Sequence, residues 1–231
     1  FSRLSDLLPV FVIAGNHDAN LANKNRLDSL SPITDMITNT KYLFKYFKNS
    51  GVYIYKNLSF VVNSVFDEAF IKASELDSKI CEKRTKICLW HGTVDQCKLF
   101  NNTTLSNESI KISSFDGFDI SMLGDIHKHQ FLNDFGNIAY SGSFIQQNFG
   151  ESVNEHGLIR WNVKSKKGKF INIKNDYGYY TLQIKEPGKI EIINCNNTKN
   201  YISKYPRIKI KISNSISNNE QIKVINEIKK K

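Results

Sequence analysis

The sequence has 231 residues, with 32 Lys and Arg against 22 Asp and Glu and a formal net charge of +10. At 40% hydrophobic and 12% aromatic it can bury a core, which excludes a disordered, collagenous or disulfide-framework chain. Its longest apolar runs, such as Val10 to Ala14 and Ile87 to Trp90, fall far short of the ~20 residues that span a bilayer.

Phe1, Leu4, Leu7 and Leu8 have the spacing of an amphipathic helix already under way, and position 1 is not Met, so the chain is expected to be a fragment. Pro9 to Ala14 reads as a short buried strand that ends at Gly15-Asn16-His17-Asp18. Tyr42, Leu43, Tyr46 and Phe47 repeat at helical spacing, with Gly51 as the stop. Val52 to Tyr55 and Leu58 to Val65 read as paired strands around a turn at Lys56-Asn57. A helix is expected over Ala69 to Glu82. Lys86 to Trp90 is a strand stopping at His91-Gly92, and Phe118 to Leu123 is another, stopping at Gly124-Asp125-Ile126-His127-Lys128-His129. Three apolar strands thus end in polar clusters that hold four of the five histidines, and in layered α/β folds sites collect at such strand ends.

Beyond Gly150 the pattern alternates, predicting strands over Gly157 to Val163, Lys169 to Ile173, Tyr179 to Ile184 and Arg207 to Ile212 and a helix over Asn219 to Lys231. The charge divides at the same place. Residues 1 to 150 carry 15 charges of each sign and are neutral, so the whole +10 excess lies in residues 151 to 231. A basic module beside a neutral one suits a polyanionic partner, although a Lys-, Asn- and Ile-rich composition also follows from AT-rich coding. The four cysteines, Cys81, Cys88, Cys97 and Cys195, lack Cys-x-x-Cys pairing and read as reduced core thiols of an intracellular protein.

Imidazole, amide oxygen and carboxylate together suit a divalent transition ion, and the absence of neighbouring cysteines argues against a structural zinc site. Gly15-Asn16-His17-Asp18, His91-Gly92 and Gly124-Asp125-Ile126-His127 resemble, in order and spacing, the last three motifs of the calcineurin-like metallophosphoesterases. Leu123 to Gln130, Tyr140-Ser141-Gly142-Ser143 and Asn148-Phe149-Gly150-Glu151 look more narrowly like the SbcD branch, nuclease subunits of double-strand-break repair.

The resemblance implies an α/β class fold. Residues 1–160 would form an N-terminally incomplete layered α/β/β/α sandwich and residues 161–231 a small basic α+β cap. It also implies metal-dependent hydrolysis of DNA phosphodiesters at a center of two divalent ions, manganese by resemblance, together with a homodimer and an ABC-type ATPase partner. On this reading Asn16, His91, Asp125 and His127 are metal ligands, His17 faces the phosphate, and Asp18 supports from behind by capping the following segment. Asp125 stands where the family has the first His of Gly-His-x-His, and His129 is the alternative ligand, because alternate side chains of an extended segment share a face. Ser141, Ser143 and Gln146 are candidate DNA contacts, evenly weighed against a solvated turn. Trp161, Tyr177, Tyr179 and Tyr180 could stack on bases, but such aromatics are more often core. The family's Asp-x-His and Gly-Asp-x-x-Asp motifs, which supply the bridging carboxylate, do not occur, so these residues alone are expected to be inactive. Two other readings stay open: a metallophosphoesterase acting on nucleotides or phosphoproteins, and a non-catalytic DNA-binding subunit with a decayed metal site.

Overall fold

Parallel strands with near-continuous apolar runs form the middle of the largest sheet, as burial on both faces requires. The computed structural model describes all residues except 24, 25, 79–82, 187, 188, 194–201, 214, 215, 230 and 231, and the side chains of 227–229. Cys81 and Cys195 lie outside the described residues. The class is mixed α/β, with several sheets and few helices.

A six-stranded sheet runs in the order β3 (Gly51–Tyr55), β4 (Leu58–Asn63), β5 (Thr85–His91), β6 (Ile120–Gly124), β8 (Ile138–Tyr140), β7 (Gln130–Phe131). Its four inner strands are parallel, and β3 and β7 close the edges antiparallel. β1 (Val10–Val12) lies outside this sheet and pairs parallel with β2 (Phe44–Tyr46). The helix expected around Tyr42 to Phe47 is therefore a strand. Phe44 and Tyr46 alternate with exposed Lys45, and Phe47 stacks on Tyr53 at 4.2 Å and on Phe11 at 5.4 Å. That aromatic packing outweighs an ambiguous local spacing. Of the helix expected over Ala69 to Glu82, Ala73–Glu75 form a 3-10 turn and Ser78 is helical, while 79–82 lie outside the described residues.

Alternate residues of the central strands fill two cores. Phe60, Val62, Ile87 and Ile120 face Phe11, Ile13 and Phe47, while Val61, Cys88 and Leu123 face Val94, Cys97, Phe115 and Tyr140. The sheet is thus covered on one side by the β1–β2 ribbon and on the other by the segment between β5 and β6. The helices beside it are brief: α1 spans Ser2–Ser5 and α2 Ser31–Asp35.

The chain divides into two compact units that interleave along the sequence. One holds Phe1–Leu99, Thr103–Gly142 and Ile159–Phe170; the other holds Phe100–Asn102, Ser143–Leu158 and Ile171–Lys231. β9 (Gly157–Asn162) and β10 (Lys167–Asn172) form a two-stranded ribbon from which both units take residues. The second unit contains a three-stranded sheet in the order β12 (Lys189–Ile192), β11 (Tyr177–Glu186), β13 (Tyr205–Ile212), followed by α3 (Asn218–Lys229). Ile184, Ile216 and Val224 pack with Ile210 and Ile212 between that sheet and α3. No described helix is long and apolar enough to cross a membrane.

Candidate metal centre at the strand ends

β5 and β6 are paired in register through His91 and Gly124, so the polar segments that follow them start side by side. The turn after β1 reaches the same place. A Cβ built on Gly15 would lie 2.7 Å from the His91 ring, and one built on Gly124 would lie 2.8 Å from His91 Nδ1. Only glycine at both positions lets the imidazole sit between the two backbones. The ring so held is half-buried, with Nε2 3.2 Å from Asn16 Oδ1 and 3.6 Å from Asp125 Oδ1.

Burial pushes the His91 imidazole below its ordinary pKa range. Asp125 and Asp18 oppose that shift, and His17 and His127 add to it. The same five groups therefore share one electrostatic neighbourhood, and His91 keeps an unprotonated ring nitrogen. Asn16, His17 and His127 are exposed.

Asp125 has φ +97, a conformation that a residue with a Cβ rarely adopts. Such a position costs on the order of 1–3 kcal/mol and persists where the surroundings over-determine it, most often at functional sites. Asp18 braces the turn before it and the segment after it: its Oδ2 accepts from Gly15 N–H at 2.9 Å and its Oδ1 from the Ser29 hydroxyl at 3.2 Å.

A metal ion with ligand bonds of ~2.0 to 2.2 Å sets neighbouring donors about 3 to 3.6 Å apart. The Asn16, His91 and Asp125 atoms match that spacing around His91 Nε2, and their N and O chemistry suits manganese, iron or zinc. The fit covers one ion's partial shell. Among the described residues, no three His, Cys, Asp or Glu are grouped so as to hold a metal.

His129 is drawn toward the fold. Its ring stacks on Phe170 at 3.9 Å, meets Phe131 edge-on at 5.3 Å, and places Nδ1 3.0 Å from the Tyr140 carbonyl oxygen. The turn at Gly142, with φ +76, presses on this segment, since a Cβ there would lie 2.7 Å from the His127 carbonyl oxygen. Ser141 is half-buried at that turn, its hydroxyl donating to the Gly142 carbonyl at 3.3 Å.

In the second unit, the Ser143 hydroxyl lies 2.9 Å from Nδ1 of buried His156, whose Nε2 is 2.7 Å from the Ser152 carbonyl oxygen. Gln146 is buried, and its amide holds the Tyr179 backbone by both N–H and C=O. The side chains of Ser143 and Gln146 are thus engaged inside their own unit. Trp161 packs into the core beside Phe60, and Tyr180 is buried.

One structural feature escaped sequence reasoning. Buried Asp28 accepts from the Leu30 and Ser31 backbone N–H groups and pairs with Lys48 at 2.8 Å, fixing the start of α2 beside the site. Burial alone would raise its pKa, but the Lys48 and Ser31 hydrogen bonds outweigh that and hold the carboxyl well below the usual range. Asp28 followed by Ser31-Pro32 was the available signal.

No family model matches the chain. Across its whole length it is 40% identical to an uncharacterized protein of Acanthamoeba polyphaga mimivirus, and it spans 17% of that protein.

Proposed function

We propose that the protein is a metal-dependent phosphodiester hydrolase acting on DNA, built as a calcineurin-like, SbcD-like metallophosphoesterase with a layered α/β/β/α sandwich and a small basic cap. The observation that carries this reading is the His91 ring held between Gly15 and Gly124, with Asn16 and Asp125 oxygens beside its Nε2. Three separate segments converge there, each at the end of a strand or one turn beyond it.

Asn16, His91, Asp125 and His127 are the residues to hold divalent ions, manganese by resemblance, which when bound polarise a phosphodiester and activate water. On this reading His17, which is exposed, stabilises the charge that develops on the phosphate or protonates the leaving oxygen. The glycine-walled position of His91 fixes its donor atom before any ion arrives, so little ordering remains to be done on binding. An intracellular location, a homodimer and an ABC-type ATPase partner belong to the same reading.

The test is manganese-dependent cleavage of labelled DNA by the protein extended upstream to include an Asp-x-His and a Gly-Asp-x-x-Asp. Cleavage lost in His17→Ala and His91→Ala supports the reading, and cleavage indifferent to both changes refutes it. A non-catalytic DNA-binding subunit is the second reading, favoured by the absence of a three-residue His, Cys, Asp or Glu group among the described residues. It predicts DNA binding with no cleavage under any divalent ion.

A further inference from the structure

β13 alternates Tyr205, Arg207, Lys209 and Lys211 with Pro206, Ile208, Ile210 and Ile212. Its parallel register with β11 sets Tyr177 beside Tyr205, Tyr179 beside Arg207, Thr181 beside Lys209 and Gln183 beside Lys211, so these eight residues share one face of the sheet. The apolar set occupies the other face, where Ile184, Ile210 and Ile212 meet Ile216 and Val224. The polar face is open along β13 and at Tyr177, while Thr181 on it is buried. It carries exposed cations along β13, and Glu191 of β12, which the register sets on this face beside Gln183, is paired with Lys185 at 3.1 Å.

Two aromatic rings lie open on it. Tyr177 and Tyr205 are 64% and 48% exposed, yet their rings stack on each other at 5.1 Å with 29° between planes. Next to them Arg207 donates to the Tyr179 hydroxyl at 2.8 Å with its guanidinium 5.2 Å from the ring center, and Lys204 lies 5.0 Å from the Tyr205 ring center. Tyr179 is held rigidly, its backbone by the Gln146 amide and its ring edge-on to Phe149 at 5.0 Å. Leaving large aromatic surfaces in water is unfavourable unless something covers them, and a row of cations beside them selects an anion that also has flat apolar faces.

We propose that this face binds single-stranded nucleic acid, with bases stacking on Tyr177 and Tyr205 and the phosphates running along Arg207, Lys209 and Lys211. Unpaired bases offer the π faces that a duplex hides, and stacking on aromatic side chains is tolerant of sequence. A folded acidic protein or a simple polyanion uses the cations and leaves the rings unexplained. The inference sharpens the substrate class of the proposed function but rests on residues distinct from the strand-end cluster.

The test measures fluorescence anisotropy of labelled oligothymidylate and oligouridylate with the full 231-residue chain in EDTA, so that binding is read without any metal-dependent cleavage. Tyr177→Ala and Tyr205→Ala should each weaken binding about tenfold, and Tyr205→Phe should restore it, because stacking needs the ring and not the hydroxyl. Arg207→Ala and Lys209→Ala should each lower the salt dependence of log K by about 0.7. Equal effects on both oligomers mark a site indifferent to the sugar, and a loss confined to one assigns it to DNA or RNA; both outcomes support the platform. Tyr variants that bind like the parent while heparin competes as well as oligonucleotide reduce the face to a generic polyanion site and overturn the proposal. Absence of oligonucleotide binding by the parent chain overturns it too, whatever the fate of the hydrolase reading.

Discussion

The six-stranded sheet of the first unit and the three-stranded sheet of the second deal differently with their two faces. In β4 every residue from Ser59 to Asn63 is buried, and cores lie on both sides, so nothing reactive can stand on the sheet itself. Polar chemistry is pushed to where the strands stop, at Gly15 to Asp18, His91 and Asp125 to His127. In β13 only every second residue is apolar, one face meets α3, and the other is left to present tyrosines and cations. A continuous apolar run therefore leaves polar side chains at strand ends, and an alternating run leaves them on a face.

Truncating the doubly buried sheet tests the first half of that contrast most severely. Ile87 is 2% exposed at the centre of it, and Ile87→Ala should cost about 2–5 kcal/mol in denaturant unfolding. Ile208 is 38% exposed on β13, and Ile208→Ala should cost less than 1 kcal/mol by the same measurement, since little area leaves water there. Equal costs would show that the two sheets are not buried as differently as described.

Asp28 sharpens the contrast from below the site. Asp28→Ala leaves two backbone N–H groups and Lys48 without their acceptor and should destabilise by about 2 kcal/mol. Because the folded carboxyl is held below its unfolded value of about 3.9, its contribution is complete above that pH and fades as pH falls through the folded value. An acid unfolding series should therefore show a flatter limb below about pH 4 for Asp28→Asn than for the parent chain.

The conformation of Asp125 predicts a change of the opposite sign. Asp125→Gly relieves a positive φ and should raise stability by about 1 kcal/mol in thermal unfolding while weakening manganese binding. A loss of both would mean that Asp125 is held by its side chain for structural reasons. The smallest effect concerns the thiols. Burial pushes the Cys88 thiol up to about 12, opposed only by the Asn63 amide, and Cys97 is also raised by burial. Peptide mapping after alkylation of the native chain should leave both unmodified. Labelling of Cys88 without denaturant would show that this sheet opens more readily than its packing implies.

The strands β3 to β6 were readable because their apolar runs are bounded by turn residues and by the polar clusters that follow them. The same periodicity misled at Tyr42 to Phe47, where a helical spacing and a strand alternation coexist and only the distant rings of Phe11 and Tyr53 choose between them. The membership of β1 in a separate ribbon was equally hidden, since pairing with Phe44–Tyr46 is a nonlocal event. At the site, the residue types and their order were legible from Asn16, His91 and Asp125. Their arrangement was not, because it depends on Gly15 and Gly124 admitting the His91 ring and on the φ of Asp125, neither of which leaves a periodic signal. The polar face of β11 and β13 was half legible: alternation announced a two-faced strand, whereas the parallel register that brings Tyr177 to Tyr205 required the fold.

Calorimetric titration of manganese into the 231-residue chain and its Asn16→Ala, His91→Ala and Gly15→Ala forms addresses the strand-end cluster directly. Binding by the parent chain is expected to weaken at least tenfold in the first two, which remove a donor, and in Gly15→Ala, whose methyl would displace the His91 ring while every donor stays present. Manganese affinity unchanged in His91→Ala, or no binding by the parent chain, would contradict a metal centre built on that ring.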